Sequence, residues 1–334
     1  MITTPTCLIL GAGASIPYGF PSGIELKEEL CLCSTPNSSI HNALVRADFE
    51  SEQVSAFGKA LQYSAQKSID AFLEHRNEFQ PIGKAAITWS ILRREGFDIP
   101  FYTSSQAAHH SIDFKAHTGN YQAEVFHAQF WYQELFSLLN KKTTPEDFKK
   151  NRLRIITFNY DRSLETFLFT ALKTSYKLND ESVKELISNL EIIHVHGKVA
   201  ENSWETPHAM KYPEYASIRI ESKYLKSGVE KIKIVSEVIP DNEEFVKALK
   251  IISESQRIHF IGFSFNEDSL ERLGFINHKI GNSTVISGSA YGMGIAEQAA
   301  VKQYFRQTRN VGNALLEISL ENYDAFQYLK NITL

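Results

Sequence analysis

Short apolar runs that end in glycine or polar residues recur along the chain and have the length of buried β-strands. They are found at residues 8–10, 153–158, 192–196, 257–262, 285–288 and 315–319. Stretches with apolar residues at helical spacing separate several of them, such as 161–172, 241–253 and 266–273. This alternation predicts an α/β fold with a Rossmann-like, doubly wound and mainly parallel sheet of about six strands.

Between the first two strand runs, the pattern changes to helical periodicity. Residues 34–150 lack strand signals and contain helical blocks such as 40–64, 68–79 and 123–139. We interpret 34–150 as a large helical insertion within a single domain that spans residues 1–334. An aromatic face at 130–136 is expected in the core or at an interface, and the aperiodic stretch 94–119 is expected to form a loop or lid.

The first strand run leads into LILGAGASIPYGFPSG, residues 8–23. Gly11 and Gly13 carry no side chain that would keep a pyrophosphate away from the backbone amides, and Ser15 adds a hydroxyl donor. A helix predicted to begin near Ser22 would add its positive N-terminal end. However, residue 16 is Ile where the dinucleotide fingerprint has its third glycine, and the lysine of a Walker loop is missing. Alone, the stretch fits a nucleotide loop or a tight strand-to-helix turn about equally well.

Two later strand runs end in polar residues that we expect beside this loop. RIITFNYD ends with Asn159 and Asp161, and IIHVHG ends with His196 and a glycine. In an open parallel sheet, ligands bind beyond the carboxyl ends of the strands, where these residues would meet. We expect His194 on the other side of the strand from His196, as a packed neighbour. A simpler alternative makes Asp161 only the N-cap of the helix that follows.

The motifs, in this order, resemble those of the sirtuin family. GAGAS with the following G-F-P resembles its glycine loop, TFNYD its Thr-x-Asn-x-Asp segment, HG its catalytic histidine, and IGFS, residues 261–264, its later Gly-x-Ser strand end. The resemblance implies that NAD is the ligand. It implies that Asn159 holds a ribose hydroxyl and an attacking water, that His196 acts as a base towards the ribose, and that Asp161 orients that pair. The NAD-binding residues that it implies are Gly11, Ala12, Gly13, Ser15, Pro21, Thr157, Asn159, Asp161, Gly262 and Ser264.

The sequence departs from the deacylases of that family. Phe158 stands where they have Gln, Ser22-Gly23 stands where a Phe-Arg pair is expected, and the three cysteines cannot build their zinc ribbon with two cysteine pairs. The block SIDAFLEHR, residues 68–76, instead resembles a segment of bacterial sirtuin-like NAD hydrolases of antiphage defence.

These resemblances imply an NAD glycohydrolase that releases nicotinamide and leaves ADP-ribose, acting as the effector of an antiphage abortive-infection system that is silent until triggered. A protein deacylase or ADP-ribosyl transferase that uses NAD is one alternative. A module that senses NAD or ADP-ribose without chemistry is another, although binding alone would need only the loop. An NADase needs a switch, so we expect a homo-oligomer or a separate partner such as a ring-forming ATPase or helicase.

Composition and charge limit the partners and cofactors that the protein is expected to use. The formal net charge of −4, from 35 basic and 39 acidic residues, offers no general attraction for nucleic acid or anionic lipid. Cys7, Cys31 and Cys33 suit neither a disulfide framework nor a four-thiolate zinc site, and the histidines at 109, 110 and 117 lack the neighbours of a metal shell. Neither a basic cleavable leader nor an apolar stretch of spanning length is seen. We therefore expect a cytoplasmic protein that uses NAD without a metal, a membrane or direct contact with nucleic acid.

Overall fold

The computed structural model contains, within its described residues, one six-stranded sheet. The described residues are 1–95, 130–141, 144–205, 220–234, 237, 242–275, 280, 283–307, 318–332 and 334. The strands are β1 (Thr6–Leu10), β2 (Leu153–Thr157), β3 (Ile192–His194), β4 (Arg257–Ile261), β5 (Val285–Ser289) and β6 (Ile318–Glu321). Neighbouring strands all run parallel in the order β3-β2-β1-β4-β5-β6. This arrangement confirms the predicted Rossmann-like α/β fold.

The central strand β1 determines where the functional loops meet. Leu10, at the end of β1, is in register with Thr157 at the end of β2 and with Ile261 at the end of β4. The strand order reverses between β1 and β4, which makes this point a topological switch point. The loops after β1, β2 and β4 therefore lie at the same edge of the sheet.

The described residues between β1 and β2 form helices. These are α1 (Gly23–Cys31), α2 (Ser39–Arg46), α3 (Ser51–Tyr63), α4 (Ile69–His75), α5 (Gln80–Glu95), α6 (Trp131–Leu139) and α7 (Pro145–Phe148). α1 begins where the sequence predicts, because the side chains of Ser22 and Glu25 form a reciprocal capping box. The predicted loop or lid at 94–119 lies outside the described residues from 96 onward. The division into one domain with an insertion at 34–150 stays a prediction.

Helices also follow the other strands. They are α8 (Ser163–Tyr176) and α9 (Asp180–Ser188) after β2, α10 (Ser222–Lys231) and α11 (Glu243–Glu254) after β3, α12 (Glu267–Arg272) after β4, α13 (Ile295–Gln307) after β5, and α14 (Ala325–Asn331) after β6. No helix in the described ranges combines the length and the hydrophobicity needed to cross a membrane.

The two faces of the sheet are covered by two separate hydrophobic cores, because successive side chains of a strand point to opposite sides. Leu8 and Leu10 belong to the larger core, which includes the helices between β1 and β2. Cys7 and Ile9 belong to the second core, which includes α11, α12 and α13. The glycine loop and the polar residues after β2 therefore lie between helices of both layers.

Helix α6 packs its aromatic face on the loop after β1. Trp131 and Tyr132 are 0% and 2% exposed and belong to the core, whereas Phe130 and Phe136 of the predicted aromatic face are partly exposed. The Trp131 indole donates to the Ala14 carbonyl oxygen at 2.7 Å, and the Tyr132 amide donates to the Tyr18 hydroxyl at 2.7 Å. The helical segment is thus attached directly to the loop that begins the candidate site.

The loop after β1 crosses the loop after β4 in backbone-to-backbone contact. The Gly11 amide donates to the Ile261 carbonyl at 3.1 Å, and the Gly13 amide donates to the Gly262 carbonyl at 2.9 Å. A Cβ atom added to Gly11 would lie 2.5 Å from the Gly262 carbonyl oxygen, and one added to Gly13 would lie 2.8 Å from the Gly262 Cα. Gly262 has φ +58°, and a Cβ there would lie 2.1 Å from the Ala14 nitrogen. These three glycines are therefore required for the close contact between the loop after β1 and the loop after β4.

Replacing Gly262 tests this crossing. We expect Gly262→Ala to destabilise the fold by about 1–2 kcal/mol for its left-handed backbone and by a further ~1–3 kcal/mol for the collision with the Ala14 nitrogen. Gly292→Ala is the matched control, because Gly292 has φ +76° but no heavy atom within 4 Å of the added Cβ. Urea unfolding of both variants measures the two costs. Equal losses of unfolding free energy would show that the close approach is unimportant.

Candidate functional site

The polar residues after β1 and β2 form one hydrogen-bonded chain. The Asn159 side-chain amide donates to the Gly11 carbonyl oxygen at 3.0 Å and to the Ser15 hydroxyl oxygen at 2.8 Å. The Ser15 hydroxyl in turn donates to the Asp161 carboxylate at 2.8 Å. Both N–H bonds of the Asn159 amide are therefore used within the protein, and Oδ1, a hydrogen-bond acceptor, is its remaining polar atom.

The Asp161 carboxylate anchors the far end of this chain. It is 5% exposed and also accepts hydrogen bonds from the backbone amide (3.1 Å) and the hydroxyl of Ser163. Burial raises its pKa, while the hydrogen bonds from Ser163 and Ser15 act in the opposite direction. Arg162 is the N-cap residue of α8, and Asp161 bonds both to the first amide of that helix and to Ser15, so it does more than cap the helix. Asp161 thereby fixes the hydroxyl of Ser15 and, through it, the amide of Asn159.

The predicted phosphate donors of the glycine loop are engaged elsewhere. The amides of Gly11 and Gly13 donate to the β4 loop, and the amides of Ala14 and Ser15 donate to the carbonyls of Gly11 and Ala12. The Ser15 hydroxyl donates to Asp161. Our physical reason for the glycines is therefore wrong, since their small size serves the crossing with Gly262 and not the access of a pyrophosphate to these amides. Contact of the loop with NAD through other atoms stays a prediction.

His196 lies beyond the end of β3 among aromatic rings. It is 5% exposed, and its ring centre lies 5.3 Å from that of Phe158, 6.4 Å from that of Tyr160 and 5.9 Å from that of Phe245. Its Nδ1 atom is buried without a hydrogen-bond partner among the described residues. Burial, together with the charge of Arg272, lowers the His196 pKa to about 4. The imidazole is therefore neutral at pH 7 and able to accept a proton.

The backbone around His196 is fixed by the end of α10. The His196 carbonyl accepts from the Lys233 amide at 2.9 Å. Gly197 has φ +74°, and a Cβ added to it would lie 2.1 Å from the Lys231 carbonyl oxygen. The glycine of the His-Gly motif thus allows the turn to pack against this helix end.

Three charged or polar residues near His196 were not predicted from sequence. The Tyr160 hydroxyl donates to the half-buried Asp70 carboxylate of α4 at 3.3 Å. Burial raises the pKa of Asp70, and the charge of Arg272 acts on both Asp70 and His196. In the sequence, Asp70 belongs to the segment 68–76, which resembles a segment of defence NADases. Its position beside Tyr160 shows that the helical segment contributes to this edge of the sheet.

His194 is more than a packed neighbour. Its Nδ1 lies 2.8 Å from the backbone carbonyl oxygen of Asn159, and its Nε2 lies 2.6 Å from the Glu165 carboxylate of α8. Burial lowers the His194 pKa, but the charge and hydrogen bond of Glu165 raise it more, so that it lies above its ordinary value. The Glu165 pKa is lowered, because the same interactions outweigh the effect of its burial. Placing His194 and His196 on opposite sides of one strand was wrong, because residues two apart on a strand face the same side. The two rings differ because β3 ends at His194 and His196 lies in the following turn, and the sequence did not reveal Glu165 as the partner of His194.

The other residues predicted to bind NAD have different surroundings. The Thr157 hydroxyl accepts a hydrogen bond from the backbone amide of Asn159 at 3.1 Å, and so shapes the turn after β2. Pro21 is buried just before the Ser22 cap, whereas Ala12 and Ser264 are exposed at the loops after β1 and β4. Ser15, Asn159 and Asp161 are thus joined by hydrogen bonds. His196 has no hydrogen bond to them in the described structure and packs against Phe158, the residue before Asn159.

The network encloses a small cavity of about 10 Å³, which is about the room of one water molecule. It is lined by Leu10, Ser15, Tyr132, Thr157, Asn159, Asp161, Leu164, Glu165, Ile192 and His194. A larger depression of about 370 Å³ lies on α3 and α4, away from the predicted residues. Among the described residues, no cluster of three or more histidine, cysteine or acidic side chains is arranged to hold a metal ion.

Comparison with protein families supports the resemblance. Residues 153–310 match the family model described as SIR2-like domain. The match supports a relationship to the sirtuin-like family and an NAD-related function, since domains of this kind are typically NAD-dependent enzymes. It contains Asn159, Asp161, His196, Gly262 and Ser264 but not the glycine loop. No curated protein matches the chain.

The titration of His196 tests the electrostatics of the site. We expect its imidazole to titrate with a pKa of about 4 in an NMR experiment, with the resonance assigned by its loss in His196→Gln. In Arg272→Gln the pKa should rise, because removal of a positive charge favours the protonated ring. A titration at the ordinary histidine value, near pH 6.5, would show that His196 is more hydrated than its buried position implies.

Proposed function

We propose that the protein is an NAD glycohydrolase that releases nicotinamide and leaves ADP-ribose. The observation that carries this proposal is the fixed amide of Asn159. Its N–H groups are used by Gly11 and Ser15, which leaves Oδ1 as an acceptor for a ribose hydroxyl or an attacking water. The match to the SIR2-like domain supports NAD as the substrate.

In this mechanism the chain positions and deprotonates a nucleophile. NAD supplies a cationic pyridinium leaving group, whose departure needs no added acid. Asn159 Oδ1 holds the attacking water or the ribose hydroxyl, and Asp161 keeps the amide oriented through Ser15. His196, whose buried Nδ1 has no hydrogen-bond partner among the described residues, would accept the proton as a neutral imidazole. Its pKa of about 4 makes it a weak base in this state.

Two alternatives use the same pocket for another purpose. A deacylase or ADP-ribosyl transferase would require room for an acyl-peptide or protein acceptor, and Phe158 packs against His196 and Phe263 at the position where deacylases have Gln. A module that only senses NAD or ADP-ribose would not need a buried histidine with an unpartnered Nδ1. Both observations favour hydrolysis.

We place this activity in antiphage abortive infection, where an NADase must stay silent until it is triggered. Assembly with copies of itself or with a ring-forming ATPase or helicase would supply such a switch, if the partner binds the active state more tightly. Trp131 and Tyr132 of the predicted aromatic face are buried, so only the partly exposed Phe130 and Phe136 could contribute to this contact.

Activity and binding measured on the same variants test the proposal. We expect NAD to be cleaved to nicotinamide and ADP-ribose, and we expect Asn159→Ala and His196→Ala each to lower kcat by about 10²-fold or more, because each removes a positioned catalytic group. Chromatography of the products measures the rate of NAD cleavage, with and without the protein encoded by the neighbouring gene as a candidate partner. Calorimetry with ADP-ribose measures binding independently of turnover.

Asn189→Ala is a matched control, since Asn189 is an exposed asparagine whose side chain donates to the nearby Glu185 carbonyl, away from the site. Its rate should equal that of the wild type. Failure of the wild-type protein to bind ADP-ribose, or full turnover in both catalytic variants, would contradict the proposal. Binding without cleavage under every condition would favour the sensing module, and release of nicotinamide only with an acyl peptide would favour the deacylase.

A further inference from the structure

We propose that His194 is a positioning residue for Asn159 and acts as a doubly donating imidazolium held by Glu165. This inference rests on the proposed function, because it assigns the support of the same asparagine. It begins with two distances, 2.8 Å from Nδ1 to the Asn159 carbonyl oxygen and 2.6 Å from Nε2 to the Glu165 carboxylate.

The two partners of the ring are both hydrogen-bond acceptors. A neutral imidazole has one N–H group and one lone pair. With its proton on Nε2, the Nδ1 lone pair would face the Asn159 carbonyl; with its proton on Nδ1, the Nε2 lone pair would face the Glu165 carboxylate. A ring that carries both protons satisfies both acceptors, and the negative charge of Glu165 balances the positive charge that results.

The surroundings of the pair support this protonation. His194 and Glu165 are buried, with side chains 7% and 6% exposed, so each charge needs the other. Lys198 lies near enough to stabilise the ionised Glu165 and to oppose the charge of His194. Its ammonium is held at 2.6 Å by Glu205, which removes part of that opposition. On the cavity side, Tyr132 and Asp161 are further titratable groups that line the same space as the ring.

The consequence for the site is that Asn159 is held at two ends. Ser15 and Gly11 fix its side-chain amide, and His194 fixes its backbone carbonyl. A side chain fixed in this way keeps Oδ1 in one position. Loss of the backbone contact alone leaves the side-chain bonds in place but lets the peptide rotate. Such a change lowers kcat more than it raises KM, because misplacement by about 1 Å is enough to cost up to about 10²-fold in rate.

Substitutions of the pair separate positioning from simple packing. His194→Gln places an amide near the former Nε2 and removes the donor to Asn159, so we expect kcat for NAD to fall about tenfold or more with KM little changed. Glu165→Leu removes the counter-charge and leaves the buried Nε2 without a partner, so the ring is held only at Nδ1 and we expect a smaller fall in kcat. Glu165→Gln should recover most of that loss, since its amide N–H donates to the Nε2 lone pair of a neutral ring that still donates from Nδ1.

His259→Gln controls for loss of a buried histidine. His259 is 3% exposed on β4 and bonds to Ser287 and Tyr328, away from the Asn159 network. This variant should change stability without the drop in kcat. Nitrogen NMR on protein labelled at histidine should show both ring nitrogens of His194 protonated at pH 7, and only one protonated in Glu165→Gln. The carbon resonance of the Asn159 carbonyl should shift in His194→Gln.

Several results would overturn the proposal: a single N–H on His194 in the wild type, a wild-type kcat in His194→Gln, or equal rates in Glu165→Leu and Glu165→Gln. Should the wild-type protein not cleave NAD under any condition, the proposed function fails. The nitrogen spectrum and the Asn159 carbonyl shift would then still decide between a doubly donating ring and a neutral one. The two failures are therefore distinguishable.

Discussion

The structure depends on one close approach between two backbones, the crossing of the loop after β1 with the loop after β4. Gly11 and Gly13 bond to the carbonyls of Ile261 and Gly262, and no side chain fits between the two segments. Because this contact fixes the path of the chain from Gly11 to Ser15, it also fixes the Ser15 hydroxyl and the Gly11 carbonyl that hold Asn159. The glycines thus act on the site through the shape of the loop.

Two histidines, separated by one residue, have opposite electrostatic surroundings. His194 faces Glu165, which raises its pKa, whereas His196 is surrounded by Phe158, Tyr160 and Phe245 and has a pKa of about 4. β3 ends at His194, so His196 lies in the turn that follows, and the two rings reach different environments. One ring is suited to hold a structure by donating twice, and the other is suited to accept a proton. Environment, and not residue type, therefore separates their roles.

The sequence predicted those features that depend on local patterns. Strand runs, the capped start of α1 and the convergence of strand ends follow from hydrophobic spacing and from the geometry of parallel sheets. The reason for Gly13 was wrong, because the atom that excludes a side chain there belongs to Gly262, far away in sequence. Glu165, Asp70 and Arg272 were missed for the same reason. Their partners lie on elements far away in sequence, and no local pattern indicates such a pairing.

The helical segment between β1 and β2 is connected to the site by specific bonds. Tyr132 of α6 lies 2.7 Å from the Ser163 hydroxyl, and since that hydroxyl donates to Asp161, the tyrosine must be the donor to Ser163. Glu95 at the end of α5 forms a buried ion pair at 2.5 Å with Arg162, next to Asp161. Separating such a pair would leave an uncompensated buried charge, at a cost of about 3–5 kcal/mol. Any partner that moved α6 relative to the sheet would therefore change the hydrogen bonds of Asp161 before it broke the pair of α5. A switch that acts through α6 would reach Asn159 through the hydrogen bonds of Tyr132, Ser163, Asp161 and Ser15.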